Sequence, residues 1–220
     1  MTQNYSGQTG QQTHQNMHTG TVSQQMNHGG HELFDVHEVL SGAIGTMNQM
    51  TLFRSHVKDP ELRDILDRQY RFFADEYNIT VECFKTGQDP SHPTQSYKMT
   101  TGNDFIYGMQ ATQPKKPIQN ASEISDEIIA GFLLSSHKMN ASGKTMAALE
   151  ATNPVVRRVL ADSVPNCIEM AYEISIYMNK HKYYQVPQLA QQDMQQLLNA
   201  FAPVQGQMGQ GQAQMPNNMQ

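Results

Sequence analysis

The residues of this chain best suited to chemistry are two glutamates, Glu76 and Glu173, which fall on apolar faces of helical segments. Carboxylates inside a helical bundle can bind a pair of iron or manganese ions. Such a site takes one Glu from each of two helices and a Glu-x-x-His motif from each of the other two. The residue three positions after Glu76 is Ile79, and the one three positions after Glu173 is Ile176. The Glu-x-x-His motif is therefore missing from both segments.

His37 offers a third ligand near the apolar seam of an earlier helical segment, but it has no partner at metal-ligand spacing. A metal-binding oxidoreductase or metal store built on Glu76, Glu173 and His37 is kept as the alternative. The main prediction is that both carboxylates are polar core residues, because buried polar groups are normally hydrogen-bonded. No catalytic, cofactor-binding or metal-binding residue is assigned. Candidate partners for the carboxylates are Gln69, Asn166, Ser163 and nearby tyrosines.

The two cysteines, Cys83 and Cys167, are too few for a disulfide framework, and each lies inside a predicted helix. We expect buried, inert thiols, with an intermolecular bridge as the alternative. Neither cysteine belongs to a recognisable nucleophile signature, and the chain contains no Gly-x-Ser-x-Gly motif. These observations favour a protein that is not an enzyme.

A helical hairpin occurs twice in the sequence and provides the elements that carry these residues. Each copy contains a capping residue followed by proline, Asp59-Pro60 in the first and Asn153-Pro154 in the second. Asp and Asn cap helix N-termini with a side-chain oxygen, and proline is tolerated at the first helical position. Helical periodicity precedes and follows each signal. The predicted helices span residues 32–57, 60–85, 122–150 and 154–182.

Aligning the two hairpins predicts which side of each helix faces the core. The second and fourth helices align at an offset of 94 residues, and the first and third align better at 95. On the second helix the inner face runs from Leu62 to Cys83, and on the fourth it runs from Val156 to Tyr177. The seam of the first helix includes Leu33, Leu40 and Met47 together with Val36, Ala43 and Met50. The predicted inner face of the third helix is Ile128, Phe132, Ser135, Met139, Ser142, Met146 and Leu149.

Residues 87–121 connect the two hairpins, and a connection of this length can run along a bundle and join two parallel helices. The prediction is an all-α, ferritin-like four-helix bundle over residues 31–202, made of hairpins 32–86 and 122–182. A short helix at residues 187–202 is expected to cap the bundle or to contact a second subunit.

The two ends of the sequence, residues 1–30 and 203–220, are rich in Gln, Asn and Gly and contain no Asp, Glu, Lys or Arg. Both are expected to be disordered tails, because they hold too little apolar surface to offset the entropy of ordering. Side-chain amides donate and accept hydrogen bonds, so such tails can associate with similar segments. The hypothesis is therefore that the tails serve assembly, and the alternative is that they are inert, solubilising segments.

The composition excludes several classes of function. With 15 basic and 20 acidic side chains, the chain has no basic surface for nucleic acid. No apolar stretch approaches the length needed to cross a bilayer. The N-terminal segment lacks the basic start and apolar run of a secretory signal, so no export by that route is expected.

Three sequence features stand out: His31-Glu32-Leu33 at the start of the first helix and the restarts Asp59-Pro60-Glu61-Leu62-Arg63 and Asn153-Pro154-Val155-Val156-Arg157. Together with the doubled hairpin, they resemble the spore coat protein F family, and in particular the coat-F-like proteins of Bacillus and its relatives. The resemblance covers roughly residues 31–200. It implies a ferritin-like bundle in a structural protein of the endospore coat, with other coat proteins as partners and a homo-oligomer as a further expectation. It implies no catalytic residues.

Overall fold

The computed structural model describes residues 28–204, of which residues 28–186 form one compact unit and residues 187–204 belong to a second. Most of the two tails that are predicted to be disordered, residues 1–27 and 205–220, lies outside the described residues. The first unit is built from four long helices, and among the described residues the β-structure is a single isolated bridge between Tyr107 and Val186. The helices are α1 (Gly30–Arg54), α2 (Pro60–Thr86), α3 (Asp126–Glu150) and α4 (Pro154–Lys180), with a 3-10 turn at Ala121–Glu123.

The capping signals form as the sequence predicts. Asp59 Oδ1 accepts a hydrogen bond from the Glu61 N–H at 2.8 Å, and Pro60 is the first residue of α2. Asn153 Oδ1 accepts from two backbone N–H groups in the first turn of α4. At the other end of α2, Gly87 has a φ of 65°, in the left-handed region where a side chain is unfavourable. The starts of α2 and α4 are therefore fixed by their own side chains.

Hydrogen bonds between helix ends define the direction of each helix. The start of α1 and the start of α4 meet, because Asn153 N donates to the Glu32 carboxylate at 2.9 Å. The start of α2 and the start of α3 meet at the opposite end, because Asp59 N donates to Asp126 at 3.1 Å. Helices α2 and α3 are thus parallel, and the crossover runs the length of the bundle. A single long crossover is the connectivity of ferritin-like folds.

The inner faces of α2 and α4 agree with the prediction. Every predicted residue on α4 is buried, and on α2 all are buried except Phe72, which is partly buried. On α1, Val36, Ala43 and Met50 are buried, but Leu33 is 44% exposed. The core of the bundle therefore forms largely where the apolar periodicity of α2 and α4 places it.

On α3 the predicted inner face is wrong. Met139 and Met146 are 68% and 60% exposed. The offset of 95 residues is also wrong, because an offset of 94 pairs the buried residues of the two helices. It pairs Val36, Val39, Ala43, Thr46 and Met50 with Ala130, Leu133, His137, Asn140 and Lys144. One residue turns a helix by about 100°, so a shift of one position exposes a different face. The residues buried on α3 are Ile129, Ala130, Leu133, Leu134, Ser136, His137, Asn140, Lys144 and Ala147, and four of them are polar or charged.

The crossover lies along the α2/α4 side of the bundle and is held there by side chains of α4. Tyr97 N donates to Asn166 Oδ1 at 2.8 Å, Thr100 N donates to Glu173 at 3.1 Å, and Ile106 N donates to Asn179 Oδ1 at 2.7 Å. These contacts satisfy backbone groups that would otherwise need water. A segment without helix or strand therefore covers one side of the bundle.

The second unit contains α5 (Gln191–Leu198), which is shorter than the predicted helix at residues 187–202. None of its residues is buried. Among the described residues, no helix combines the length and apolar character that crossing a membrane requires.

Candidate functional site

The carboxylate of Glu76 on α2 lies in the core and is paired with Lys144 on α3. Lys144 Nζ is 2.9 Å from Glu76 Oε2, and the two side chains are 4% and 3% exposed. Asn166 on α4 donates to the other carboxylate oxygen at 2.6 Å. Burial opposes a charge on Lys144, but the Glu76 carboxylate outweighs it and raises the pKa of the ammonium. Three helices are thus joined around one buried ion pair.

The carboxylate of Glu173 on α4 is paired with Arg68 on α2, at 2.9 Å. Tyr97 Oη donates to it at 2.5 Å and Gln69 Nε2 at 3.0 Å. Burial alone would raise the pKa of Glu173, but Arg68, Tyr97, the Thr100 N–H and Gln69 together lower it. Glu173 is therefore ionised, and it links α4 to both α2 and the crossover.

Gln69 connects this second ion pair to His137 on α3. Its amide nitrogen donates to Glu173, so its amide oxygen accepts the hydrogen bond from His137 Nε2 at 2.8 Å. His137 is fully buried, and burial, assisted by the nearby Lys144 charge, lowers its pKa to about 3. The imidazole is therefore neutral at physiological pH. Its Nδ1 atom has no hydrogen-bond partner within the described chain.

The three residues of the alternative metal site are not brought together. Glu76 and Glu173 are buried, but the side chain of His37 is 75% exposed on α1. Within residues 28–204 there is no group of three or more His, Cys, Asp or Glu side chains that could hold a metal ion. Glu76 and Glu173 each bind a cation supplied by the protein instead, which offsets the cost of burying their charges.

The predicted partners of the carboxylates are partly confirmed. Asn166 binds Glu76, and Gln69 and a tyrosine bind Glu173. Ser163 instead donates to the carbonyl of Leu160 within its own helix. The two cations, Lys144 and Arg68, were missed by the sequence reasoning. The offset of 94 residues would have located Lys144, because it pairs that residue with buried Met50.

Both cysteines are buried and free, as predicted. Burial raises the pKa of the Cys83 thiol to about 12 and also raises that of Cys167. Because the thiolate is the reactive form, neither sulfur is activated as a nucleophile. The buried polar and charged side chains of the bundle therefore hold the helices together through ion pairs and hydrogen bonds.

Comparison with known proteins shows to which family the chain belongs. Residues 125–187, which hold α3 and α4, match the Coat F domain. The chain is 56% identical over 180 residues to the spore coat protein F-like protein YhcQ of Bacillus subtilis (strain 168), a match that covers 82% of this chain and 83% of the relative. No solved structure matches. The chain therefore belongs to the family of spore coat protein F-like proteins.

Proposed function

We propose that the protein is a structural, non-enzymatic component of the endospore coat, where it contributes a folded body to the assembly of the protein layer. Membership of a spore coat family supports the location. The observation that carries the structural role is the pairing of the two buried carboxylates: Glu76 with Lys144 and Glu173 with Arg68. Ion pairs that are closed inside the protein hold the packed helices together. Their side chains are already paired, so they are not available to bind a charged substrate.

The pattern of contacts supports a body built to keep its shape. The Glu76 cluster joins α2, α3 and α4, and the Glu173 cluster ties the crossover onto the same helices. Because each partner comes from a distant part of the sequence, α2, α3 and α4 cannot shift against one another without disturbing a buried ion pair. A subunit of a protective layer requires this kind of resistance to deformation.

The alternative, a ferritin-like metal-binding oxidoreductase or metal store, has no support from the comparisons. It also requires that Glu76 and Glu173 exchange Lys144 and Arg68 for metal ions, and that exposed His37 reach the core. The ferritin-like superfamily assignment itself stays a prediction, supported by the connectivity of the four helices.

Assembly is proposed to involve other coat proteins. The charge-free segments at residues 1–30 and 203–220 are the proposed points of association, since their amides can hydrogen-bond with similar segments. This part of the proposal rests on composition, because these segments lie almost wholly outside the described residues.

The test of this function is the position of a fluorescent fusion in sporulating cells. A signal that encircles the developing spore and remains with the purified coat fraction is expected. A matched fusion lacking residues 1–27 and 205–220 should retain its fold and lose incorporation into the coat. Diffuse fluorescence throughout growing cells would overturn the coat assignment, and unchanged incorporation of the shortened protein would overturn the role of the tails.

A further inference from the structure

The outer side of α1 and α3 carries large apolar side chains in contact with solvent. We define the α1/α3 face as the exposed side of these two helices around the groove between them. Phe34 and Leu52 on α1 and Met139 and Met146 on α3 are each at least 60% exposed on this face. The opposite side of the bundle is covered by the crossover, whereas within residues 28–186 the large apolar side chains of the α1/α3 face are left exposed. Extended apolar surfaces of this kind mark interaction sites.

The face is also almost free of charge. Between Glu38 and Arg54, α1 contains no charged residue. On α3, Lys144 points into the core and Lys138 lies over the ring of Tyr184, 5.8 Å from its centroid. A solvent-exposed helix of a monomer normally carries polar and charged residues along its outer side. The composition of this face therefore indicates a surface that is covered in the assembled protein.

Three glycines lie on the face in the interior of the helices. A Cβ atom added at Gly42 or Gly45 would meet no atom within 4 Å, and one added at Gly143 would make ordinary contact with Val39 at 3.9 Å. Glycine destabilises a helix interior relative to alanine, and here the chain's own packing does not require it. Glycine at these positions instead leaves room for another molecule to come close to the helix backbones.

Two of these glycines, Gly42 and Gly143, line the same groove as the methionines. A cleft of about 230 Å³ runs between α1 and α3, lined among others by Glu38, Gly42, Met139, Gly143 and Met146. Ridges of flexible methionine side chains thus lie beside a glycine-lined groove on one surface. When two copies face each other across a two-fold axis, the methionine ridge of one copy can enter the groove of the other. An isologous interface requires this kind of self-complementarity.

From these features, we propose that the α1/α3 face is a homodimer interface whose occupant is the same face of a second copy of this chain. The uncharged centre of the face brings no like charges together. In each copy the acidic residues Asp35, Glu38 and Glu150 lie at the end where α1 begins and α3 ends. A two-fold axis perpendicular to the helices therefore places the acidic residues of one copy and those of the other at opposite ends of the dimer. The proposal does not depend on the coat assignment.

The size of the face fits this occupant. The 19 residues from Phe34 to Leu52 span about 27 Å of helix, and two helices side by side are about 20 Å wide. The projected area is thus about 500 Å², and side-chain relief brings the accessible area towards the roughly 800 Å² per partner of a standard interface.

The test is the mass of the full chain in solution, measured by light scattering during size-exclusion chromatography across low to high micromolar concentrations. Wild-type protein is expected at twice the chain mass of 24.8 kDa. Gly45→Arg and Met139→Glu should each weaken dimerisation at least tenfold and shift the mass towards the monomer. Both sites are open to solvent in the single chain, so circular dichroism should show an unchanged fold.

The matched control is Ile168→Glu, which places the same charge at an exposed apolar residue on α4, outside the α1/α3 face. It should leave the dimer intact, and because the tails are present in every variant, association through the tails would be unaffected by all three changes. A monomeric wild-type protein would overturn the proposal. A dimer that survives both face variants, or that Ile168→Glu weakens equally, would overturn it as well.

Discussion

Glu32 and Asp126 make the same contact in opposite halves of the bundle. Glu32, in the first hairpin, accepts hydrogen bonds from the backbone N–H groups of Thr152 and Asn153 at the restart of the second hairpin. Asp126, in the second hairpin, accepts from the N–H groups of Lys58 and Asp59 at the restart of the first. Glu32 and Asp126 are related by the same 94-residue offset as the capping residues Asp59 and Asn153. The two hairpins are therefore clamped to each other symmetrically.

Removal of either clamp should destabilise the protein. Glu32→Ala leaves the buried Asn153 N–H and the part-buried Thr152 N–H without an acceptor, so we expect a loss of about 2–3 kcal/mol in the free energy of unfolding. Asp126→Ala, at a half-buried site, should cost about 1–2 kcal/mol. Urea unfolding followed by circular dichroism measures both. Glu38→Ala, at an exposed residue of α1, is the control, and a clamp variant as stable as this control would contradict the interpretation.

The buried Lys144–Glu76 pair predicts a strong coupling between its two members. Lys144→Met leaves the Glu76 carboxylate buried without a counter-charge, which should cost about 3–5 kcal/mol. Adding Glu76→Gln removes that charge and should restore most of the lost stability. Lys138→Met, at an exposed lysine of the same helix, removes only a cation–π contact with Tyr184 and should change stability by less than about 1 kcal/mol. Additive losses in the Glu76/Lys144 double-mutant cycle would show that the two side chains do not interact.

Buried His137 predicts how stability changes with pH. Burial lowers the pKa of His137 to about 3 in the folded protein, against an ordinary value of 6.5, so the unfolded chain takes up a proton first as the pH falls. The stability that neutral His137 contributes is complete above pH 6.5 and is lost progressively between 6.5 and about 3, at up to about 1.4 kcal/mol per pH unit. Glu173, whose pKa is lowered from 4.5, adds a further loss only below pH 4.5.

Urea unfolding at several pH values between 7.5 and 4.5 separates these two contributions. His137→Gln keeps a donor for Gln69 but does not titrate, so its stability should fall less between pH 6.5 and 4.5 than that of the wild type. An equal slope in the two proteins over this range would assign the loss to other groups.

The sequence predicted the buried face of a helix correctly where the apolar residues of that helix are also its buried residues. On α2 and α4 the apolar residues recur at helical spacing, and Glu76 and Glu173 lie among them, so both carboxylates were placed in the core. On α3 the two properties disagree, because His137 and Lys144 are buried while Met139 and Met146 are exposed. A count of apolar residues therefore selects the wrong stripe.

The pairing of charges could not be predicted from composition. Lys144 has the sequence context of a surface lysine, and its burial depends on Glu76, which lies 68 residues away in the chain. The internal repeat holds the missing information, since an offset of 94 residues pairs buried Ala43 and Met50 with His137 and Lys144. The internal repeat does not indicate the pairing of Arg68, because the contact of Arg68 with Glu173 depends on the crossover and on the packing of α2 against α4.

We propose that protein cations, and not metal ions, neutralise the buried carboxylates of Glu76 and Glu173. Elemental analysis of the full chain, purified without a histidine tag from cells grown with ample iron and manganese, measures this directly. We expect iron and manganese far below one ion per chain, with the Lys144–Glu76 and Arg68–Glu173 pairs intact. One or two tightly bound ions per chain, lost on replacement of Glu76 or Glu173 by glutamine, would refute the claim.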